Sequence, residues 1–194
     1  MTEEHNKQEE LDLSAIGDNS DLELNLAVDA VDLQPVEVQI EKIAERQRQI
    51  TAKLQIPQPV EQVWKVLTDY EALADFVPSL AKSRLVKHPQ GGIRLEQVGS
   101  GRFLRFNFCA RVVLDLEEKF LKEINFRMVE GDFKDFSGSW LLEPCSLDNI
   151  VGTALCYTVK VLPKRTMPVG MIERRLSNDM RLNLLAVRKR ALGT

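Results

Sequence analysis

A chain of 194 residues, 44% hydrophobic and 28% charged, has the composition of an ordinary soluble globular protein, long enough for one domain with an appendage. No stretch reaches the roughly eighteen uninterrupted apolar residues of a membrane span, and the start MTEEHNKQEE lacks the basic and apolar regions of a signal peptide. The protein is therefore expected in the cytoplasm or against a membrane from that side. The net charge of −3 conceals an asymmetry: residues 1–45 hold 13 Asp/Glu against Lys7 and Lys42 alone, leaving 16 acids and 24 bases for the remainder. An acidic tail precedes a basic domain.

In chain order, residues 1–35 are polar and acidic, carry no aromatic side chain and are expected to be disordered. Within them DLELNLAVDAVDL alternates acidic and apolar residues and could serve as a short docking element. Residues 36–47 read as a linker or short helix. The first strand is expected at Arg48–Ile56, where apolar residues alternate. Pro59 then suits the first turn of a helix over VEQVWKVLTD, whose Val60, Val63, Trp64 and Leu67 make an apolar stripe. A second short helix, EALADFV, ends at Pro78.

Strands follow for some eighty residues: Leu80–Lys87, Ile93–Val98, Phe103–Leu114, a segment around Phe120–Met128, Phe136–Glu143 and Val151–Leu162. Gly99-Ser100-Gly101 reads as a hairpin turn, because it opens no helix and so forms no helix-end anion site. Short turns between sequential strands favour an antiparallel meander. Pro168 to about Leu192 reads as a six-turn helix, with Val169, Ile172, Leu176, Met180, Leu184, Val187 and Ala191 at helical spacing. Its apolar side must pack on the sheet.

This order resembles the helix-grip fold, an α+β fold in which a curved antiparallel sheet of about seven strands wraps a long C-terminal helix, with two short helices after strand 1. The run VEQVWKVLTDYEALADFVPSL (60–80) resembles the cyclase/dehydrase and coenzyme Q-binding protein branch of the START-like (SRPBCC) superfamily, and GDFKDFSGSWLLEP (131–144) is similar to a later strand of the same families. The resemblance covers residues 48–192. It implies a cavity between sheet and helix for an apolar ligand such as an isoprenoid, sterol, polyketide or fatty chain. Trp64, Phe76, Phe106, Phe108, Phe120, Phe126, Phe136, Trp140, Tyr157, Met171 and Met180 are the expected lining. The same side chains would equally fill an ordinary core, since periodicity does not distinguish a core from a cavity wall.

Catalysis of the polyketide-cyclase kind needs an acid or base in that cavity. His5 lies in the tail and His88 in a turn, which leaves Tyr157, Arg105, Arg111 and Asp135, most of them on the face opposite the apolar one. Cys109, Cys145 and Cys156 have no CxxC spacing, so neither a zinc site nor a disulfide framework is expected, and no cofactor is implied. The last helix carries Arg174, Arg175, Arg181, Arg188, Lys189 and Arg190, which read together as one solvated or membrane-attracting face. Phosphate contacts with RNA are the weaker reading, because no exposed stacking aromatics accompany these arginines. The chain is thus read as a carrier of a hydrophobic small molecule (lipid, isoprenoid or quinone-like), with peripheral contact with anionic membrane. The alternatives are a polyketide cyclase/dehydratase-type enzyme and a ribosome- or RNA-associated regulator. Entry is expected between the helix and the loops at Gly131–Phe136 and Pro163–Pro168.

Overall fold

The computed structural model describes residues 35–103, 106–147 and 149–193, and for 100–103 and 106–108 the backbone alone. The tail read as disordered therefore lies outside the described residues, apart from Pro35. Alternating apolar residues build most of one eight-stranded antiparallel sheet: β1 (Glu37–Lys42), β2 (Arg48–Ile56), β3 (Leu80–Leu85), β4 (Ile93–Phe103), β5 (Phe106–Lys119), β6 (Glu123–Gly131), β7 (Asp135–Leu147) and β8 (Ile150–Leu162). Its spatial order is β1-β2-β8-β7-β6-β5-β4-β3. Between β2 and β3 stand two short helices, α1 (Val60–Thr68) and α2 (Leu73–Phe76), and the chain closes with α3 (Val169–Leu192). This is the helix-grip architecture that the element order led one to expect.

Three expectations need correcting. Residues 36–47 are neither linker nor helix, because Glu37–Lys42 pairs antiparallel with β2 from Glu37↔Lys53 to Lys42↔Arg48. The sheet consequently has eight strands, and its first begins eleven residues before Arg48. Gly99-Ser100-Gly101 is no turn: β4 runs through it to Phe103 and pairs with β5, Gly99 opposite Ala110 and Phe103 opposite Phe106. Glycine marked a sheet position here, not punctuation.

Helix α1 buries Val60, Val63, Trp64, Val66 and Leu67. Helix α3 starts after Pro168, buries Ile172, Met180, Leu184, Val187 and Ala191, and stops at Gly193, whose left-handed φ of 77° few other residues adopt readily. It packs against β1, β2 and α1. Along β4 to β8 the side chains of one parity point toward it, Leu95, Val112, Leu114, Ile124, Phe126, Leu142, Leu155 and Val159 among them. Gly138 is required in this wall, since a Cβ there would stand 2.0 Å from the Thr158 carbonyl oxygen and 2.6 Å from the Phe126 ring.

Candidate functional site: an internal cavity

Packing leaves a cavity of about 160 Å³ between the sheet and α3. Its apolar wall comes from Leu95, Val112, Leu114, Leu116, Ile124, Phe126, Phe133, Phe136 and Trp140 on the sheet side, from Leu67 and Leu73 near α1 and α2, and from Ile172, Leu176, Met180 and Val187 on α3. A void of this order accepts one benzene-sized molecule. The aromatics interlock: Trp140 and Tyr157 stack with centroids 3.7 Å apart and planes 4° apart, and Phe126 tilts against Phe136 at 5.8 Å.

Of the residues expected to line it, Phe126, Phe136, Trp140, Tyr157 and Met180 do so. Phe106 and Phe108 lie in β5 with side chains outside the described part. Phe120 does not line it: it sits at the β5–β6 turn, 75% exposed, with its ring edge-on to Trp64 at 5.8 Å. Trp64 and Met171 pack in the core away from the cavity, and Phe76 lies under the Arg190 guanidinium, 5.6 Å from its ring centre.

Polar groups reach the cavity too. Arg175, Asp179 and Asn183 succeed one another at i, i+4 and i+8 on α3, so one helix face carries all three inward. Arg175 Nε donates to Asp179 Oδ2 at 2.6 Å, with both side chains mostly buried (13% and 18% exposed). Asn183 Oδ1 accepts from Ser79 Oγ at 2.7 Å. Gln97 Nε2 donates to Ser83 Oγ (3.3 Å), which itself donates to the Tyr70 carbonyl (2.6 Å). Burial pushes the Asp179 carboxyl above the usual aspartate range, and the Arg175 hydrogen bond and charge offset this in part. Burial, then the Asp179 charge, pushes the Tyr157 phenol up. The Tyr70 phenol is also raised, by burial and by the hydrogen bond it donates to Glu118 (2.5 Å).

The basic face of α3 is thereby divided. Arg174, Arg181, Lys189 and Arg190 are exposed, but Arg175 belongs to the cavity wall and Arg188 is buried, 9% exposed. The division follows helical angle and not charge: 172, 175, 176, 179, 180, 183 and 187 fall on one stripe. Of the polar strand residues considered, Tyr157 faces the cavity, Arg111 lies on the other face of the sheet, Asp135 is not among the lining residues, and Arg105 is outside the described residues.

The two loops expected to admit ligand are tied together. Lys164 Nζ donates to the Gly131 carbonyl (3.2 Å), and the Lys134 amide to the Leu162 carbonyl (2.9 Å). Arg46, from the β1–β2 turn, donates to the carbonyls of Lys164 (3.0 Å) and Met167 (2.8 Å), and Arg48 Nε pairs with Glu173 at 2.6 Å in the first turns of α3.

On the outer face of the sheet stands a second charged group. Glu96, only 5% exposed, receives Arg84 Nε (2.5 Å) and Lys82 Nζ (3.1 Å) on one oxygen and Arg111 Nε (2.7 Å) on the other, while Arg111 also reaches Glu130 (2.6 Å). Hydrogen bonds from Arg111, Arg84 and Lys82 hold the Glu96 carboxyl down to about 2. Among the described residues no three His, Cys, Asp or Glu side chains are grouped to hold a metal ion, and no helix is long and apolar enough to cross a membrane.

An antiparallel sheet packed on a long C-terminal helix over a ligand-sized void is the helix-grip fold, and comparison with known proteins agrees. Residues 56–185 match the family described as polyketide cyclase/dehydrase and lipid transport, and the chain belongs to that family. The aromatase/cyclase ZhuI from Streptomyces sp. R1128 superposes with a TM-score of 0.60 at 20% identity, over 75% of this chain and 93% of that one. A START superfamily protein from Mycobacterium smegmatis gives 0.61 at 14% identity, over 75% and 97%. A STAR-related lipid transfer protein from Xanthomonas axonopodis gives 0.56 at 18% identity, over 79% and 98%. At these identities the likeness establishes the fold. No curated protein sequence matches the chain.

Proposed function

We propose that this domain binds a hydrophobic small molecule in the cavity beneath α3 and carries it without chemical change. The observation that carries this reading is the cavity itself, about 160 Å³ with a mostly apolar wall, where ordinary cores close to near-crystalline density. A ring-sized ligand fits without rearrangement. An isoprenoid or quinone tail, the finer reading suggested by the coenzyme Q-binding likeness, requires α3 to move and the loop ties at Gly131 and Lys164 to open. Exposed Arg174, Arg181, Lys189 and Arg190 on α3 support loading at an anionic membrane surface, each basic residue contributing on the order of 1 kcal/mol there.

Native mass spectrometry of protein purified from its own cell, followed by solvent extraction, tests the carrier reading. A co-purifying lipid, quinone or ring compound is expected, and a clean unliganded mass from repeated preparations would count against it.

A second reading, a cyclase or dehydratase, is favoured by one observation: Tyr157, Asp179 and Arg175 all face the cavity, and a carboxyl with a raised pKa suits general acid–base work. Turnover of a linear poly-β-ketone by the wild type, abolished in Asp179→Asn with binding retained, would replace the carrier reading with the enzymatic one. No observation favours the RNA reading.

A further inference from the structure

Helix α3 turns an otherwise apolar stripe toward the cavity, and at every fourth residue the stripe is interrupted by a polar group: Arg175, Asp179, Asn183. A carrier selecting purely for hydrophobicity has no use for these. Each polar group in an apolar cavity costs free energy unless it is paired, and hydrophobic replacements of similar size are commonly neutral or stabilising. The ladder therefore points to a polar atom on the ligand.

What kind of polar atom follows from the pairing already present. Arg175 Nε is 2.6 Å from Asp179 Oδ2, so the pair is neutral as a whole and its guanidinium already faces a carboxylate. An incoming carboxylate would compete with Asp179 for that cation and be repelled by it. Asn183 accepts from Ser79 through Oδ1, which leaves its amide N–H groups as donors on the cavity side without a partner among the described residues. A carboxylate acceptor and an amide donor one helical turn apart suit a group that both donates and accepts, a hydroxyl, or a carbonyl oxygen that accepts from the amide. The cavity volume, close to that which holds benzene, limits the body of the ligand to about one ring.

Resting on the cavity reading above, we infer that the Arg175–Asp179–Asn183 ladder makes this site selective for a single-ring molecule bearing a neutral hydroxyl or carbonyl oxygen, against both plain hydrocarbons and carboxylates. The selectivity arises because an unoxygenated ring leaves the Asn183 amide N–H groups without an acceptor, whereas a carboxylate adds a second anion beside Asp179.

Calorimetric titration of the full chain with toluene, phenol, cyclohexanone and benzoate tests this. Phenol or cyclohexanone should bind at least tenfold more tightly than toluene or benzoate. In Arg175→Met/Asp179→Leu the preference for phenol over toluene should fall to within about threefold. Asn183→Leu, a single change that leaves the ion pair in place, should reduce phenol affinity and spare toluene, so the idea remains testable if the double variant does not fold. Equal or tighter binding of toluene or benzoate to the wild type would overturn the ladder inference and leave the cavity reading standing. Absence of binding by all four would overturn both.

Discussion

Two carboxylates on opposite faces of one sheet-and-helix layer show how position changes the meaning of an ion pair. Glu96, on the outer face, is surrounded by Lys82, Arg84 and Arg111, and its carboxyl is held down to about 2. Asp179, in the cavity, pairs with Arg175 at 2.6 Å, and burial leaves its carboxyl raised. The linkage signs are opposite. Glu96 contributes stability that is present above its unfolded value near 4.5 and is lost as pH falls toward about 2. Asp179 is best tolerated protonated, so its contribution is fully present below the ordinary aspartate range and is lost as pH rises through its raised folded value. The outer cluster strengthens the fold, whereas the inner pair weakens it at neutral pH, as expected where binding rather than stability determines a residue.

The largest effect that separates the two comes from breaking the inner pair. Arg175→Met leaves the mostly buried Asp179 without its guanidinium and should cost about 3 kcal/mol in denaturant unfolding. Adding Asp179→Leu should recover most of that loss, and a double variant as unstable as the single one would show that the pair is not coupled as described. Next in size is the acid limb. Glu96→Gln should flatten the fall in stability between about pH 4.5 and about 2, and an unchanged acid limb would remove Glu96 from the account. In Asp179→Asn the decline in stability on the alkaline side of the aspartate range should lessen while the acid limb persists, giving the mirror image in the same pH series. Smallest is Phe120→Ser: loss of its edge contact with Trp64 should lower stability by about 1 kcal/mol and leave toluene binding unchanged.

Much of this architecture is legible in the sequence because period-2 and period-3.6 patterns are direct records of burial. The inward parity of Phe126, Phe136, Trp140 and Tyr157 and the stripe Ile172–Met180–Val187 follow from spacing alone. Strand β1 escaped because EVQIEK is an edge strand with nearly every residue exposed, so its identity lies in pairing with β2 and not in its own apolar content. Gly99 and Gly101 mimic a turn in sequence because glycine is common in turns, yet both pair within the sheet, and Gly99 faces the cavity. Phe120 was misplaced by continuing an alternation across a turn where Leu121 takes a φ of 59°. The inner ladder is invisible to a charge count along α3, because Arg174 and Arg175 are neighbours in sequence but point about 100° apart on the helix. The existence of the void itself depends on side-chain volumes across three helices and six strands, which no local pattern encodes.

The most direct test of the central claim is a methyl NMR titration of the full chain with toluene. Saturable shifts on Leu114, Ile124, Ile172 and Met180, which face the cavity from both sheet and helix, are predicted. Shifts confined to the exposed methyls of Ile40, Ile150 and Val151, or none that saturate, would contradict it.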